Sequence, residues 1–321
     1  MKQTILFKHP APVYRAALKD DFDVVDFDLE AGTPSDDIRR TAKVLVTSGS
    51  YGAYADEFDA LPGLELVCCV GTGYDRVDLD ACRARGIRVT HSAGTNAEGV
   101  ADHAIALLLA ALRDIPRYDA QARSGAWRPP TDTRPTANGR PIGILGMGAI
   151  GKGIARRAEA FNMPVFYTAR SEKPDLPWTY APSVLEMAAA VDFLIVAAPG
   201  GAETHHLIDA PVLKALGPEG FLVNIGRGTV IDTAALVAAL KNGDIMGAGI
   251  DVYEDEPNIP ADLIALKNIV LTPHVGGMLD GIHALSAELM RRIETSATGG
   301  PLGRAFRMSF TSVGGIGVPA S

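Results

Sequence analysis

Three polar residues in the C-terminal half of the chain could together reduce a carbonyl group. Arg227 stands in the run Asn-Ile-Gly-Arg-Gly, Glu256 ends an acidic run before a proline, and His274 lies in Thr-Pro-His-Val-Gly-Gly. A guanidinium can bind a carboxylate in a bidentate way and polarise the neighbouring carbonyl. An imidazole can deliver a proton, and a carboxylate on its other ring nitrogen favours the imidazolium and fixes its orientation. The three side chains therefore suit the reduction of a 2-oxo acid.

Each of these residues has a simpler interpretation when it is taken alone. Arg227 could be a surface cation. Glu254, Asp255 and Glu256 could form a solvated acidic loop. A single charged residue at a strand end is weak support for a site, so the hypothesis depends on finding all three together.

A metal site is not expected. The adjacent pair His205 and His206 invites that interpretation, but neighbouring side chains should point apart, and no Cys or carboxylate completes a tetrahedral set. The three cysteines, Cys68, Cys69 and Cys82, have neither a metal-ligand spacing nor an even disulfide framework.

A glycine-rich turn lies between a predicted strand and a predicted helix. The strand Ile142–Leu145 is followed by Gly-Met-Gly-Ala-Ile-Gly and then by the helical pattern Ile154–Phe161. In this context Gly146 permits a tight turn, Gly148 lets the backbone approach a pyrophosphate, and Gly151 lets helix and strand pack closely. The helix N-terminus adds free N–H groups. An ordinary strand-to-helix turn is the alternative, and the context favours dinucleotide binding.

The end of the next strand distinguishes the two nicotinamide dinucleotides. An NAD site has an acid about 20 residues after the glycine turn, where it holds the ribose 2′-hydroxyl. Here Ala169 occupies that position, and Arg170 and Ser171 follow. Both can donate hydrogen bonds to a 2′-phosphate, which no carboxylate at position 169 would repel. A surface arginine is the alternative, and Glu172 opposes phosphate binding. We expect NADP(H) to be preferred, with NAD(H) possible.

The elements that position these residues are short apolar strands alternating with helical patterns. Strands with few polar residues are buried on both faces, which predicts parallel sheets covered by helices and hence an α/β protein. Two separate strand series predict two doubly wound units. The long helix Glu98–Arg113 marks the boundary between them. A later helical pattern around His283–Thr295 would return the chain to the first unit, and the tail 299–321 has no clear periodicity.

Composition limits the class of protein. The chain has 321 residues, of which 47% are hydrophobic and 21% charged, so it is long enough for two domains with their own cores. The net charge of −8 argues against a protein that mainly binds nucleic acid. The longest apolar run has nine residues, whereas a membrane-spanning helix needs about 20. The apolar run at the N-terminus is interrupted by Lys8, which argues against a signal peptide. We expect a cytoplasmic protein with no membrane partner.

The ordered set of motifs resembles the D-2-hydroxyacid dehydrogenase family from about Leu64 to about Thr295. The set consists of the glycine turn, Gly-Arg-Gly, Asp-Val-Tyr-Glu-Asp-Glu-Pro and Thr-Pro-His-Val-Gly-Gly. In that family the three polar positions are the substrate arginine, the supporting glutamate and the acid/base histidine, which implies these roles for Arg227, Glu256 and His274.

The resemblance also implies a domain organisation. It predicts a Rossmann cofactor domain over residues 98–285 and a flavodoxin-like substrate domain formed by 1–97 with 286–321, with a cleft between them. Family members pair through the long helix and the arm that follows it, so we expect a homodimer through residues 98–140.

Substrate contacts in the first domain are implied as well. The run Val70–Asp75 is similar to the family loop whose backbone N–H groups receive the substrate carboxylate, which implicates Thr72 and Gly73. A simple strand-to-helix turn is the alternative, in which Asp75 only caps the next helix. Ser48, at the end of the preceding strand, is a further candidate for the pocket.

Cofactor contacts follow from the same resemblance, which places Asp251 near the nicotinamide carboxamide and Pro199 beside the adenine ribose. The residues expected to contact the cofactor are Gly146, Gly148, Ala149, Ile150, Gly151, Arg170, Ser171, Pro199, Ile225, Asp251, His274 and Gly276.

The function that these expectations favour is NADPH-dependent reduction of small 2-oxo acids, of the glyoxylate or hydroxypyruvate type, to D-2-hydroxy acids. One alternative is an NAD-dependent phosphoglycerate or lactate dehydrogenase, which an acid in place of Ala169 would favour. Formate dehydrogenases of this fold lack the glutamate–histidine pair, so Glu256 argues against them. Another alternative is a non-catalytic dinucleotide sensor on the same fold, because such proteins can retain all three polar residues.

Overall fold

The computed structural model describes residues 2–9, 12–128 and 133–279. Within these residues the chain divides into two compact units, one ending at Asn96 and the other running from Ala97 to Met278. The predicted returning helix 283–295, the tail 299–321 and the predicted domain segment 286–321 lie outside the described residues, so those predictions stay open.

The first unit is built on a five-stranded parallel sheet with the strand order β2-β1-β3-β4-β5. This order reverses direction between β1 and β3, as in flavodoxin-like folds. Its elements are β1 (Gln3–Phe7), α1 (Pro12–Leu18), β2 (Phe22–Asp26), α2 (Asp36–Thr41), β3 (Val44–Ser48), α3 (Ala55–Asp59), β4 (Leu66–Val70), α4 (Leu79–Arg85) and β5 (Arg88–His91).

Both faces of this sheet are buried, as the apolar strand sequences predict. Alternate residues of β3 and β4 belong to two separate apolar clusters, one on each face. Cys68 and Cys69 are buried on opposite faces, where they act as small apolar residues. The proposed capping role of Asp75 is wrong: α4 begins four residues later, at Leu79, and the carboxylate of Asp78 accepts the Ala81 N–H at 2.8 Å.

The second unit contains a seven-stranded parallel sheet with the order β12-β11-β10-β9-β6-β7-β8. The strand order reverses between β6 and β9, which is the Rossmann arrangement. Its elements are α5 (Ala97–Arg113), α6 (Ile115–Arg123), β6 (Ile142–Leu145), α7 (Ala149–Ala160), β7 (Val165–Thr168), β8 (Thr179–Tyr180), α8 (Val184–Ala190), β9 (Phe193–Val196), α9 (Ala210–Leu216), β10 (Phe221–Asn224), α10 (Thr233–Asn242), β11 (Gly247–Ile250), α11 (Ala261–Ile264) and β12 (Ile269–Leu271). The prediction of two doubly wound parallel sheets is confirmed.

Small residues bring α5 close to the elements beneath it. A Cβ on Gly153 of α7 would meet the Ala101 side chain at 3.0 Å, and one on Gly249 of β11 would meet Leu107 at 3.0 Å. The helix α5 is therefore packed against both α7 and the sheet. In the described part of the chain, no helix combines the length and apolar character that crossing a membrane requires.

Candidate active site

The side chains of His274 and Glu256 form a direct hydrogen bond. His274 lies three residues after β12 and Glu256 lies in the loop after β11, and Nδ1 of the imidazole is 2.8 Å from Oε2 of the carboxylate. The second carboxylate oxygen accepts the N–H of Tyr253 at 3.1 Å. The imidazole is 42% exposed and the carboxylate 27% exposed, so the ring is the more accessible of the two. With Nδ1 engaged, Nε2 is the nitrogen that can exchange a proton with a ligand.

The surroundings of Glu256 keep its carboxyl group ionised. Burial alone would raise the pKa of this group, but the hydrogen bond and charge of His274, the Tyr253 N–H and the charge of Arg227 together lower it below its usual value. The acidic loop is therefore not simply solvated, because Glu256 carries a negative charge that faces the imidazole.

The turn that carries His274 is held by Asp251, a buried carboxylate that is 2% exposed. The Asp251 backbone carbonyl accepts the His274 N–H at 2.8 Å. Its Oδ1 accepts the Thr272 hydroxyl at 2.6 Å and the Val275 N–H at 2.9 Å, and its Oδ2 accepts the Gly276 N–H at 3.0 Å. These bonds fix His274 in the left-handed backbone region, with φ of +53°.

His103 of α5 supports the same turn, which the sequence did not indicate. Its Nε2 lies 3.1 Å from the Thr272 hydroxyl and 3.3 Å from Asp251 Oδ1. A Cβ at Gly276 would come within 3.0 Å of Asp251 and 3.1 Å of the His103 ring, so a side chain there would collide with this network. Both carboxylate oxygens of Asp251 are thus bonded to the protein, and its contact with a nicotinamide carboxamide stays a prediction.

Arg227 follows β10 in a loop that packs on the Glu256 loop. The buried Asn224 side chain braces this loop, since its Nδ2 donates to the Arg227 carbonyl at 3.0 Å and its Oδ1 accepts the Gly226 N–H at 3.0 Å. A Cβ on Gly228 would lie 1.9 Å from the Tyr253 carbonyl carbon, so only glycine fits there. The charge of Arg227 lowers the pKa of Glu256, and Glu256 is hydrogen-bonded to His274. The three predicted catalytic residues are therefore close enough to act on one another electrostatically.

The glycine turn between β6 and α7 has the shape of a phosphate cradle. Gly146 has φ of +99°, and a Cβ on it would meet the Ala198 nitrogen at 2.8 Å. A Cβ on Gly151 would meet the Gly146 carbonyl oxygen at 2.1 Å, whereas one on Gly148 would meet nothing within 4 Å. No side chain caps α7. Its first N–H groups therefore open onto the space beside Gly148, which fits the pyrophosphate of a dinucleotide.

Two details correct the expectations for this region. The helical pattern predicts a helix over Ile154–Phe161, but α7 begins at Ala149. Gly151, the last glycine of the motif, already lies in the first turn of the helix. Arg170 has an acidic neighbour that the sequence did not indicate, with its Nε 3.5 Å from Oε2 of Glu203, and both side chains are more than three-quarters exposed.

The loop after β4 in the first unit presents unused donors. We call Gly71, Thr72 and Gly73 the carboxylate loop. Gly71 has φ of +83°. In the described ranges neither the Thr72 nor the Gly73 N–H donates to a protein acceptor. Ser48 lies at the end of the neighbouring β3, and its buried hydroxyl has no hydrogen-bond partner among the described residues. A Cβ on Gly49 would meet the Gly73 backbone at 2.7 Å, so the end of β3 touches this loop.

A second histidine–glutamate pair lies near the loop of Arg227. His206 Nε2 is 2.6 Å from Glu254 Oε1, and the rings of His205 and His206 stack with centroids 3.9 Å apart. The expectation that these two side chains point apart is wrong, because His206 has φ of +53° and its ring turns back onto its neighbour. A cavity of about 500 Å³ adjoins them, lined by Gly201, Ala202, His205 and Thr229. No spacing in the sequence connects residues 206 and 254.

Among the described residues, no group of three or more His, Cys, Asp and Glu side chains is arranged to hold a metal ion.

Comparisons with known proteins give one consistent family. The family model for the NAD binding domain of D-isomer specific 2-hydroxyacid dehydrogenases matches residues 105–276, more than half of the chain. The chain is 43% identical over 262 residues to hydroxyphenylpyruvate reductase from Plectranthus scutellarioides, covering 81% of this chain and 84% of that protein. It is 41% identical over 263 residues to glyoxylate/hydroxypyruvate reductase A from Arabidopsis thaliana, with the same coverage of 81% and 84%.

A solved structure gives the same result. The NADPH-dependent glyoxylate/hydroxypyruvate reductase from Sinorhizobium meliloti, in complex with NADP and malonate, is similar with a TM-score of 0.81 and 39% sequence identity. The match covers 90% of this chain and 91% of that one. The chain therefore belongs to the D-isomer specific 2-hydroxyacid dehydrogenase family, whose members act on a CH–OH group with NAD(P).

Proposed function

We propose that this protein is an NADPH-dependent reductase of small 2-oxo acids of the glyoxylate or hydroxypyruvate type and that it forms D-2-hydroxy acids. The observation that carries the proposal is the 2.8 Å bond between His274 and Glu256, with the charge of Arg227 acting on the same carboxylate. This group supplies a proton donor, its electrostatic support and a cation for a substrate carboxylate. The names of the relatives support the substrate type.

A dinucleotide held at the glycine turn would supply the hydride that the carbonyl carbon receives. Arg227 binds the substrate carboxylate and polarises the adjacent carbonyl. His274 gives the proton on Nε2 to the carbonyl oxygen as negative charge develops there, which completes the hydroxyl group. Glu256 favours the imidazolium before the transfer and fixes the plane of the ring. Asp251 accepts the hydrogen bonds that hold the turn carrying His274.

The carboxylate loop has a matching chemistry. Its N–H groups at Thr72 and Gly73 are donors without protein acceptors in the described ranges, and successive N–H groups of this kind suit an anion. We assign them to the substrate carboxylate and Ser48 to the wall of the same pocket.

The cofactor residues are assigned by the same reasoning. Gly146, Gly148 and Gly151, with the first N–H groups of α7 at Ala149 and Ile150, would hold the pyrophosphate. Arg170 and Ser171 would bind the 2′-phosphate of NADPH. Further contacts are assigned to Pro199, Ile225, Asp251 and Gly276.

A homodimer through residues 98–140 is part of the proposal. In the described part of this segment Trp127 is 87% exposed and Ile115 is 53% exposed, which is unusual for large apolar side chains. Burial against a second copy would remove both from water. Sedimentation of the wild type and of a Trp127→Ser, Ile115→Ser double variant tests this: a wild-type dimer that dissociates in the variant supports it, and a monomeric wild type contradicts it.

An initial-rate panel tests the function. Glyoxylate, hydroxypyruvate and pyruvate are each offered with NADPH and with NADH, and dinucleotide binding is measured separately by calorimetry. The proposal expects turnover of glyoxylate or hydroxypyruvate, faster with NADPH. Dinucleotide binding without turnover of any 2-oxo acid would instead identify a non-catalytic sensor, and turnover that prefers NADH would contradict the cofactor assignment.

A further inference from the structure

His91 is bonded to the backbone of the carboxylate loop. It is the last residue of β5, and its Nδ1 lies 3.0 Å from the carbonyl oxygen of Thr72. A carbonyl oxygen only accepts hydrogen bonds, so Nδ1 must carry the proton and donate it. The imidazole also packs against the ring of Tyr74, with centroids 4.9 Å apart, which limits its rotation.

This bond sets the direction of one particular N–H group. The peptide between Thr72 and Gly73 is trans, because the cis peptides of the described chain lie elsewhere. In a trans peptide the C=O and the following N–H point in opposite directions. By holding the Thr72 carbonyl, His91 therefore turns the Gly73 N–H away from itself.

Two further polar groups of the carboxylate loop are also bonded within the unit. The Gly71 carbonyl accepts the Ser92 N–H at 2.8 Å, and the Thr72 hydroxyl donates to Asn96 Oδ1 at 2.7 Å. With the carbonyl groups of Gly71 and Thr72 engaged within the unit, the Thr72 and Gly73 N–H groups are left as donors for a ligand. Such a loop favours an anion over a cation or a neutral acceptor.

We propose that His91 is a positioning residue for substrate binding, and that its Nδ1–H orients the Thr72–Gly73 peptide so that the Gly73 N–H faces the carboxylate of a 2-oxo acid. The inference rests on the proposed function, which assigns this loop to the substrate carboxylate. His91 does not contact the substrate itself. It acts through the peptide that it holds.

The protonation state of His91 agrees with this role. Burial lowers the pKa of the imidazole below its usual value, against the opposing effects of the Thr72 carbonyl and of Asp75. The neutral ring carries one proton, and the geometry places it on Nδ1.

The test compares His91→Leu, which removes the donor, with His91→Asn, whose side-chain amide can donate from nearly the same place. His9→Leu is the matched control, since His9 is a partly buried histidine of the same unit that packs between Tyr14 and Tyr51. The steady-state constants for hydroxypyruvate and for NADPH are measured for each variant. In parallel, calorimetry in the presence of NADPH gives the affinity for oxalate, an unreactive carboxylate probe.

For His91→Leu we expect the KM for hydroxypyruvate and the Kd for oxalate to rise about tenfold, with kcat and the KM for NADPH changed less than about twofold, because binding in the ground and transition states is lost equally. His91→Asn should restore most of the affinity, and His9→Leu should match the wild type. An unchanged oxalate affinity in His91→Leu overturns the inference, as does a loss that His91→Asn fails to rescue. If the wild type binds oxalate but reduces no 2-oxo acid, the proposed function fails, and the oxalate comparison still decides the role of His91.

Discussion

Nδ1 of His274 lies 2.8 Å from Oε2 of Glu256, and this bond links two loops that follow neighbouring strands of the second sheet. The other oxygen of Glu256 is held by the backbone of Tyr253, so the carboxylate has a fixed orientation when it meets the ring. The bond also assigns the two ring nitrogens to separate tasks, since Nδ1 serves orientation and Nε2 remains for proton transfer.

The pH dependence of the reduction should report on Glu256. Its lowered pKa keeps the carboxylate charged at neutral pH and into the acidic range. In the proposed reduction the imidazolium delivers the proton, so the rate should fall as pH rises. Glu256→Gln keeps a hydrogen-bonding group but removes the charge that stabilises the imidazolium, so the falling limb should move to lower pH. Glu254→Gln is the control. Superimposable pH–rate profiles for Glu256→Gln and the wild type would show that Glu256 has no part in proton transfer.

Arg227→Ala should lower kcat/KM for glyoxylate about 100-fold or more, because the substrate carboxylate loses its charge partner and the carbonyl its polariser. The affinity for NADPH should hardly change. Arg156→Ala is the matched control, since Arg156 is a half-exposed arginine of the same unit that pairs with Glu98. Normal turnover by Arg227→Ala would show that Arg227 is only a surface cation.

Two glycines of the same turn should respond differently to alanine. A Cβ on Gly151 would lie 2.1 Å from the Gly146 carbonyl oxygen, so Gly151→Ala should lower the melting temperature. A Cβ on Gly148 would meet no protein atom within 4 Å, and its backbone has φ of −84°. Gly148→Ala should therefore fold normally, yet raise the KM for NADPH by about tenfold or more, since the methyl group occupies the space of the pyrophosphate.

Thermal unfolding and cofactor titration of both variants test this pair. Full cofactor affinity in a normally folded Gly148→Ala would show that the turn is not the phosphate cradle.

The cofactor preference should depend on two opposed charges. We expect the wild type to favour NADPH over NADH by about tenfold or more in kcat/KM, because no carboxylate stands at Ala169. Arg170→Ala should lose this preference, mainly through the KM for NADPH. Glu203→Gln should strengthen it, since Glu203 lies 3.5 Å from Arg170 and repels a 2′-phosphate. Glu219→Gln is the control, since Glu219 is a similarly exposed carboxylate of the same unit that pairs with Arg140. Equal or better use of NADH by the wild type would contradict the assignment.

The fold could be predicted because its strands have one requirement in common. Parallel strands covered on both faces must be apolar along their whole length, as in Leu66–Val70 and Phe193–Val196, which are fully buried. The glycine turn could be predicted for a similar reason: Gly146 and Gly151 meet backbone atoms so closely that no other residue fits.

The contacts between loops could not be predicted in this way. His206 and Glu254 are 48 positions apart and meet because His206 adopts a left-handed backbone, which is uncommon for any residue other than glycine. The hydrogen bonds that Asp251 accepts from the His274 turn depend on where β11 and β12 end side by side. Capping by Asp78 instead of Asp75 shows the same limit over a shorter distance, since either acid could precede the helix.

The most direct test of the account measures the oxidation of NADPH by hydroxypyruvate with wild type and His274→Ala, together with the NADPH affinity of both. The account predicts turnover by the wild type and a loss of roughly 10²- to 10⁴-fold in kcat for His274→Ala, the usual range for removing a general acid, with the NADPH affinity little changed. A wild type that binds NADPH without reducing hydroxypyruvate, or a His274→Ala variant with wild-type kcat, would contradict it.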